Sequence, residues 1–220
     1  MLAENYQKVL SAINEASRRS GRSPGEVTLI AVTKTVGIAE VRQAVSLGIS
    51  DFGENRVQDA ASKVGSMPAV RWHFIGHLQT NKAKDVLPAY HMIHSLDRLS
   101  LAEALQRCAD RFDKTAEVLI QVNTSGEESK FGLEPDQLPG FLKKVSIFER
   151  INIRGLMTMA PFVKDPENTR SYFRKLRQLR DENISSGLEL PELSMGMTND
   201  FTVAIEEGAT MVRIGSALFG

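Results

Sequence analysis

The feature that most constrains this chain is a regular alternation of short apolar segments with longer segments of helical periodicity. The alternation repeats at roughly 25 residues, as expected of strand–helix units that build a parallel sheet. Each apolar segment is rich in Val, Ile, Leu and Phe and has the length of a strand. The eight predicted strands are Val27–Lys34, Ser50–Glu54, Arg71–Gly76, Met92–Leu96, Ala116–Asn123, Asn152–Ala160, Glu192–Gly196 and Met211–Ser216.

Helical periodicity fills the segments between the predicted strands. A further helix precedes the first strand, because apolar residues from Leu2 to Ala16 keep helical spacing before Gly21 ends the pattern. The polar loop Ser125–Gly132 is a candidate mobile lid. The helices predicted between strands are Ile38–Leu47, Arg56–Val64, Asn81–Leu87, Ser100–Phe112, Pro135–Phe148, Glu167–Ser185 and Asn199–Glu207.

Eight such units, joined by right-handed connections, close most economically into a (β/α)₈ barrel. The sequence therefore predicts an α/β protein with a TIM barrel: a single domain over residues 1–220, with an extra N-terminal helix and no C-terminal β domain. An open, doubly wound sheet is the alternative. The glycine-rich turn that binds dinucleotides in such sheets is missing after the first strand, where the sequence is Thr33–Gly37.

Composition argues against several classes of function. Apolar residues make up 42% and charged residues 25% of the chain, close to globular averages, which argues against disorder. Lys plus Arg equals Asp plus Glu at 27 each, so no net charge favours binding to nucleic acid or a membrane surface. No segment is long and apolar enough to span a bilayer and no signal layout opens the sequence, so we expect a cytoplasmic protein.

Lys34 ends the first predicted strand. By period-two alternation it shares a face with Ile30 and Val32, so its amine points into the barrel mouth if these two residues fill the interior. A lysine held in partly apolar surroundings can form a Schiff base with a carbonyl compound. Pairing with a carboxylate such as Glu54 is the alternative.

Arg213 lies in the last predicted strand, on the same face as Met211 and Gly215. That face is predicted to point into the barrel. A buried guanidinium without a partner is costly, so Arg213 requires either a ligand acceptor or a carboxylate inside the barrel.

Glycine and hydroxyl residues lie at the ends of the seventh and eighth strands, where barrels of this kind commonly hold a phosphate group. The seventh strand ends in Ser194–Thr198 and the eighth in Gly215 and Ser216. Glycine allows close approach to the backbone, and hydroxyls donate hydrogen bonds. A phosphate site beside an amine and a guanidinium suits pyridoxal 5′-phosphate (PLP), with its aldehyde at Lys34 and its ring nitrogen at Arg213.

The four histidines show no metal-binding pattern. They form two pairs, His73 with His77 and His91 with His94, and neither pair has the spacing of a zinc motif. We therefore predict no metal site.

Six longer motifs are distributed along the chain: A-V-T-K at 31–34, F-G-E-N-R-V-Q at 52–58, W-H-F-I-G-H-L-Q-T-N-K at 72–82, G-L-M-T-M-A at 155–160, L-S-M-G-M-T-N-D at 193–200 and V-R-I-G-S-A-L-F-G at 212–220. Together they resemble the pyridoxal phosphate homeostasis protein family, the YggS/PROSC group, which shares the alanine-racemase-like barrel. The resemblance extends over essentially the whole chain.

This resemblance implies roles for individual residues. Lys34 would carry the internal aldimine with PLP, and Arg213 would face the pyridine nitrogen. Asn55 is similar to a residue that lines the cofactor pocket. The residues implied to hold the phosphate are Ser194, Met195, Gly196, Gly215 and Ser216.

The resemblance also implies a protein that binds PLP and contributes to its intracellular supply, without established catalytic turnover. The residues point the same way, because an arginine at the ring nitrogen keeps the pyridine unprotonated and weakens it as an electron sink. Racemases with that arrangement need a second acid or base, and Tyr6, Tyr90 and Tyr172 are not predicted to lie where one is needed. The alternatives are a minimal PLP-dependent racemase or lyase with Lys34 as base, and a Schiff-base aldolase without cofactor.

The expected partners are PLP itself and PLP-dependent apo-enzymes, with no nucleic acid and no membrane, and we expect a monomer. Lys82 and Lys130 are candidates for a secondary cofactor-exchange site. Solvated surface lysines are the other interpretation of both residues.

Overall fold

The computed structural model describes residues 1–127, 130–184 and 188–220, in which eight parallel strands form a closed barrel in chain order. The strands are β1 (Thr28–Val32), β2 (Asp51–Glu54), β3 (Arg71–Phe74), β4 (Met92–Leu96), β5 (Ala116–Gln121), β6 (Ile151–Met157), β7 (Glu192–Met197) and β8 (Met211–Ile214). Pairing of β8 with β1 closes the barrel and places Arg213 beside Ile30. The predicted (β/α)₈ barrel is confirmed, and the open sheet is excluded.

Helices surround the barrel. They are α1 (Leu2–Arg19), α2 (Ile38–Ser46), α3 (Val57–Ser66), α4 (Ala83–Val86), α5 (Leu99–Phe112), α6 (Leu138–Val145), α7 (Arg170–Ile184), α8 (Phe201–Glu206) and α9 (Ser216–Phe219). The predicted N-terminal helix is α1, which packs against α8 and α9. Among the helices described, none is long and apolar enough to cross a membrane.

Some predicted boundaries differ from the structure. The first strand ends at Val32, two residues before Lys34, and the last strand ends at Ile214, two residues before Ser216. In both places the prediction extends into the turn that follows, because the sequence does not mark the residue at which hydrogen bonding to the neighbouring strand ends. The predicted helix end at Ser185 lies outside the described residues.

Because successive side chains of a strand point to opposite faces, the barrel has two hydrophobic cores, one under the helices and one in its interior. Phe52 and Trp72 point outward and pack under the helices, as do Val212 and Ile214 of β8. A smaller core fills the barrel interior with Ile30, Met92, Leu119, Met157 and Met211. Because Ile30 and Met211 point inward, the residues that share their faces also point into the barrel.

Candidate functional site

A cavity of about 690 Å³ lies at the carboxyl ends of the strands. Its size is typical of a site for a small organic ligand. The described residues that line it come from the ends of six strands and the loops that follow them: Val32, Lys34, Thr35, Asn55, Ile75, Gly76, Met159, Pro161, Phe162, Met197, Thr198, Asn199, Asp200, Arg213, Gly215, Ser216, Phe219 and Gly220.

Lys34 lies in the turn that directly follows β1 and lines this cavity. Its side chain is exposed and forms no hydrogen bond or ion pair with any of the described residues. The carboxylate proposed as its alternative partner, Glu54, instead pairs with Lys63. The amine of Lys34 is therefore available to a ligand.

The Glu54–Lys63 pair positions the turn that carries Lys34. Both side chains are buried, and Lys63 Nζ also donates to the carbonyl oxygen of Thr33 at 2.7 Å. The hydroxyl of Thr33 donates to Glu54 Oε1 at 2.6 Å. One lysine thus holds the end of β1 in place, while Lys34 stays available to a ligand.

Arg213 enters the barrel interior from β8 and borders the cavity. It is 3% exposed, and no carboxylate in the described chain forms an ion pair with it. Its Nη1 donates to Ser194 Oγ at 2.6 Å, and its Nη2 donates to the carbonyl oxygen of Thr158 at 2.9 Å. A guanidinium has five N–H groups, so donors remain for an acceptor in the cavity.

Arg213 keeps its charge at neutral pH. Burial lowers the pKa of its guanidinium to about 10, against the opposing attraction of Asp200. Burial also raises the pKa of Asp200, although its carboxylate accepts a hydrogen bond from the Met197 amide at 2.7 Å. Arg213 therefore places a positive charge at the bottom of the cavity. The buried carboxyl group of Asp200 holds the loop that follows β7.

The loops after β7 and β8 meet at the cavity. Thr198, Gly215 and Ser216 line it together, and the amide of Ala217 approaches Thr198 Oγ1 at 3.5 Å. Two hydroxyl groups and a glycine turn therefore converge on one side of the cavity. This is the chemistry that a phosphate group requires.

The structure brings together five of the residues implicated by the sequence, namely Lys34, Asn55, Arg213, Gly215 and Ser216. Asn55 is fixed by close packing of its backbone against Gly76, where an added Cβ would lie 2.2 Å from the Asn55 carbonyl oxygen.

Three other implicated residues of β7 do not line the cavity. Ser194 is fully buried and points into the barrel, where it contacts Arg213 and His94. Met195 points outward into the core under the helices. At Gly196 the backbone, with φ of +91°, packs against Ala204, whose Cβ would lie 2.6 Å from an added Cβ. Alternation within the strand explains the positions of Ser194 and Met195. Gly196 departs from the alternation, because the register of β7 against β8 shifts between Ser194 and Met197 and its positive φ turns the backbone toward α8.

Thr198 supplies the hydroxyl at this strand end. It belongs to the predicted glycine- and hydroxyl-containing end of the seventh strand, but the resemblance does not imply a role for it. Thr198 is the first hydroxyl residue after Gly196 and lies just beyond the end of β7, so strand alternation does not fix its side chain in the interior or in the outer core.

The two lysines considered for a secondary site do not line the cavity. Lys82 Nζ lies 3.8 Å from Asp85, and Lys130 Nζ lies 3.5 Å from the carbonyl oxygen of Ala160. Part of the predicted lid, residues 128–129, lies outside the described residues, and its described part does not line the cavity.

Comparison with known proteins places this geometry in a family. The family model for the alanine racemase N-terminal domain matches residues 5–220. Pyridoxal phosphate homeostasis proteins of Aquifex aeolicus and Pseudomonas aeruginosa are 44% and 40% identical to the chain, over 99% and 100% of its length and 96% and 95% of theirs. The chain belongs to the pyridoxal phosphate homeostasis protein family.

Solved structures resemble the chain over its full length. PipY of Synechococcus elongatus, in a structure with PLP bound, has a TM-score of 0.86 and 35% identity, and the match covers 100% of both chains. An unknown protein from Bifidobacterium adolescentis has a TM-score of 0.94 and 37% identity, over 99% of this chain and 94% of that one. The same barrel is therefore found in a protein whose structure contains PLP.

Proposed function

We propose that this chain binds PLP in the cavity, with Lys34 as the covalent anchor, and holds it for supply to PLP-dependent apo-enzymes. One observation carries the proposal: a lysine amine with no partner among the described residues and a buried, charged guanidinium border the same cavity as two hydroxyl groups. The PLP bound to PipY and the name shared by the curated relatives support it.

The residues present fit the functional groups of PLP. The amine of Lys34 would be the nucleophile for the aldehyde carbon. Arg213 only donates hydrogen bonds, so it would offer an N–H group to the ring nitrogen and disfavour a proton there. Thr198, Gly215 and Ser216 are the proposed phosphate ligands, and Asn55 forms the wall on the side of β2. PLP, when bound, would supply a reactive aldehyde and a moderate electron sink.

The residues around the cavity favour a carrier over an enzyme. Of the described residues that line it, only Lys34, Asp200 and Arg213 have titratable side chains. Asp200 is buried and engaged by a backbone amide, while Arg213 remains protonated. Tyr6, Tyr90 and Tyr172 do not line the cavity. The second acid or base needed for racemisation therefore has no candidate among these groups.

Titration with PLP tests the binding site. The wild-type protein is expected to develop a visible absorption band that Lys34→Ala lacks and that Lys130→Ala keeps. Pyridoxal, which has no phosphate, should bind at least about tenfold more weakly, because hydrogen bonds to a charged group are lost. A wild-type protein that stays colourless with excess PLP would exclude the proposal.

Deuterium exchange separates the carrier from the alternative, a minimal racemase or lyase. PLP-loaded protein is incubated with L-amino acids in D₂O, and the Cα proton is followed by NMR. A carrier leaves the proton in place and transfers PLP to an apo-enzyme added afterwards. Exchange at ordinary enzyme rates that disappears in Lys34→Ala would establish the enzyme instead.

A further inference from the structure

A chain of buried polar side chains crosses the barrel interior beneath Arg213. Four contacts link five residues: Arg213 Nη1 to Ser194 Oγ at 2.6 Å, Ser194 Oγ to His94 Nδ1 at 2.9 Å, His94 Nε2 to His73 Nδ1 at 2.9 Å, and His73 Nε2 to Asp51 Oδ1 at 3.0 Å. Each of the five is at most 4% exposed. We call Asp51, His73, His94, Ser194 and Arg213 the interior relay.

The residues at the two ends of the interior relay determine which atom donates and which accepts in its hydrogen bonds. A guanidinium only donates hydrogen bonds, so Ser194 Oγ accepts the bond from Arg213. Asp51 is ionised: burial alone would raise the pKa of its carboxyl, but hydrogen bonds from His73, Arg71 and Ser50 outweigh burial and hold that pKa well below the usual range. A carboxylate only accepts, so His73 Nε2 carries a hydrogen.

The donors and acceptors of the two middle hydrogen bonds, Ser194–His94 and His94–His73, follow from those at the ends. With Arg213 donating to its oxygen, Ser194 directs its own hydrogen to His94 Nδ1. His94 then carries its proton on Nε2 and donates to His73 Nδ1. In this arrangement each imidazole uses one ring N–H as a donor and its other ring nitrogen as an acceptor, so each of the four contacts has one donor and one acceptor. A proton on His94 Nδ1 would leave the Ser194 hydrogen with no acceptor among its described contacts.

The opposite end of the interior relay reaches the other mouth of the barrel. Arg71, whose side chain is 54% exposed, forms two hydrogen bonds with Asp51, from Nε at 2.7 Å and from Nη2 at 2.6 Å. The ring of His91 also meets His73 edge-on, with centroids 5.6 Å apart, but forms no hydrogen bond to it. The buried charge of Arg213 is thus linked to a carboxylate that is itself neutralised at the surface.

We propose that Asp51, His73, His94 and Ser194 are positioning residues for Arg213. Their one-directional hydrogen bonds hold the guanidinium without an ion pair to any carboxylate of the described residues, so that it stays charged and keeps donors for the ring nitrogen of PLP. The hydrogen-bond direction is a property of the protein alone, whereas its effect on a ligand rests on the proposed function.

NMR of the ligand-free protein tests the proposed direction of the hydrogen bonds in the interior relay. Two-bond ¹⁵N–¹H spectra of uniformly labelled protein at neutral pH distinguish the Nε2–H tautomer, the Nδ1–H tautomer and the imidazolium. Both His73 and His94 are expected to be neutral Nε2–H tautomers. Protonation of His94 on Nδ1, or an imidazolium at either residue, would overturn the proposal whether or not PLP binds.

Ser194→Ala tests the positioning role, with His91→Gln as a control at a histidine outside the interior relay. Removing the Ser194 hydroxyl should weaken PLP binding about tenfold, the usual effect of losing a hydrogen bond to a charged group. His94 should then also no longer be found solely as the Nε2–H tautomer. His91→Gln should change neither property.

A purely structural role for Ser194 gives a different result. Unfolding in urea would then show a loss of stability, while the folded Ser194→Ala protein would bind PLP with wild-type affinity, and the positioning role would be refuted. If the wild-type protein itself does not bind PLP, the proposed function fails, and the histidine tautomers still decide the direction of the interior relay.

Discussion

At the level of single residues, two lysines near the end of β1 have opposite roles. Lys63 compensates the buried charge of Glu54, whereas Lys34 has no partner among the described residues. Lys63→Met should therefore lower the free energy of unfolding by about 3 kcal/mol, because it leaves a buried carboxylate unpaired. Lys34→Ala should change it by less than about 0.5 kcal/mol. Urea unfolding of both variants checks this, and equal losses would contradict the assignment.

The proposed phosphate site depends on hydroxyls beyond the strand. Thr198→Val retains the shape of the side chain but removes the hydroxyl, and we expect about tenfold weaker PLP binding. Met195→Leu is the matched control, because Met195 points into the core under the helices and should leave PLP affinity unchanged. Fluorescence or absorption titration measures both. The reverse ranking would show that the sequence-based assignment to Met195 was the better one.

Lys34 and Arg213 could be predicted from the sequence because period-two alternation set their direction once neighbouring apolar residues were assigned to the interior. The same rule places Ser194 inside the barrel, but the glycine and hydroxyl content of this strand end and the family resemblance both suggested a phosphate ligand there. The pairing of Glu54 with Lys63 could not be predicted, since it depends on how α3 packs on the end of β1.

At the level of elements, the site depends on how β2 and β3 end side by side. An added Cβ at Gly76 would lie 2.2 Å from the Asn55 carbonyl oxygen, so Gly76→Ala forces the two strand ends apart. We expect a loss of about 1–3 kcal/mol in stability and weaker PLP binding.

Gly65→Ala is the control for this substitution. Gly65 lies within α3, where an added Cβ meets no atom within 4 Å, so alanine should stabilise the helix by up to about 1 kcal/mol. Thermal unfolding and PLP titration compare the two variants. Wild-type PLP affinity in Gly76→Ala would show that the Asn55 wall does not shape the site.

Element types were more predictable than element ends. Strands and helices alternate with clear periodicity, but the sequence does not mark where strand pairing stops, so turn residues after β1 and β8 were assigned to strands. The helix α9 has only four residues, too few for a periodic pattern.

For the whole molecule, a buried histidine couples stability to pH. Burial, together with the nearby charge of Arg213, holds the pKa of His94 well below its ordinary value. The unfolded chain binds a proton at His94 below about pH 6.5, whereas the folded protein does not, so the unfolding free energy falls by up to about 1.4 kcal/mol per pH unit as the pH decreases.

His94→Gln should therefore reduce the slope of stability against pH between about pH 6.5 and pH 5. The depressed pKa of Asp51 acts in a lower window: its contribution is present above about pH 3.9 and is lost as the pH falls toward the folded-state pKa. Urea unfolding of His94→Gln and of the wild-type protein between about pH 6.5 and pH 5 measures the difference in slope. Parallel curves would mean that His94 is protonated in the folded protein.

The barrel could be predicted because eight strand–helix units have few ways to bury their apolar faces. The interior relay could not, because its residues lie on five strands and their contacts exist only after the barrel closes. The four histidines were assessed as metal ligands from their spacing along the chain. Spacing says nothing about the hydrogen bonds that His73 and His94 make across strands.

Lys34 is the proposed covalent anchor of PLP at the mouth of the barrel. Borohydride reduction of the PLP-loaded protein, followed by peptide mapping with mass spectrometry, tests this assignment. The label is expected on the peptide that contains Lys34, and it should be lost from Lys34→Ala. A label on Lys82 or Lys130 with Lys34 unmodified, or no label on wild-type protein saturated with PLP, would contradict the account.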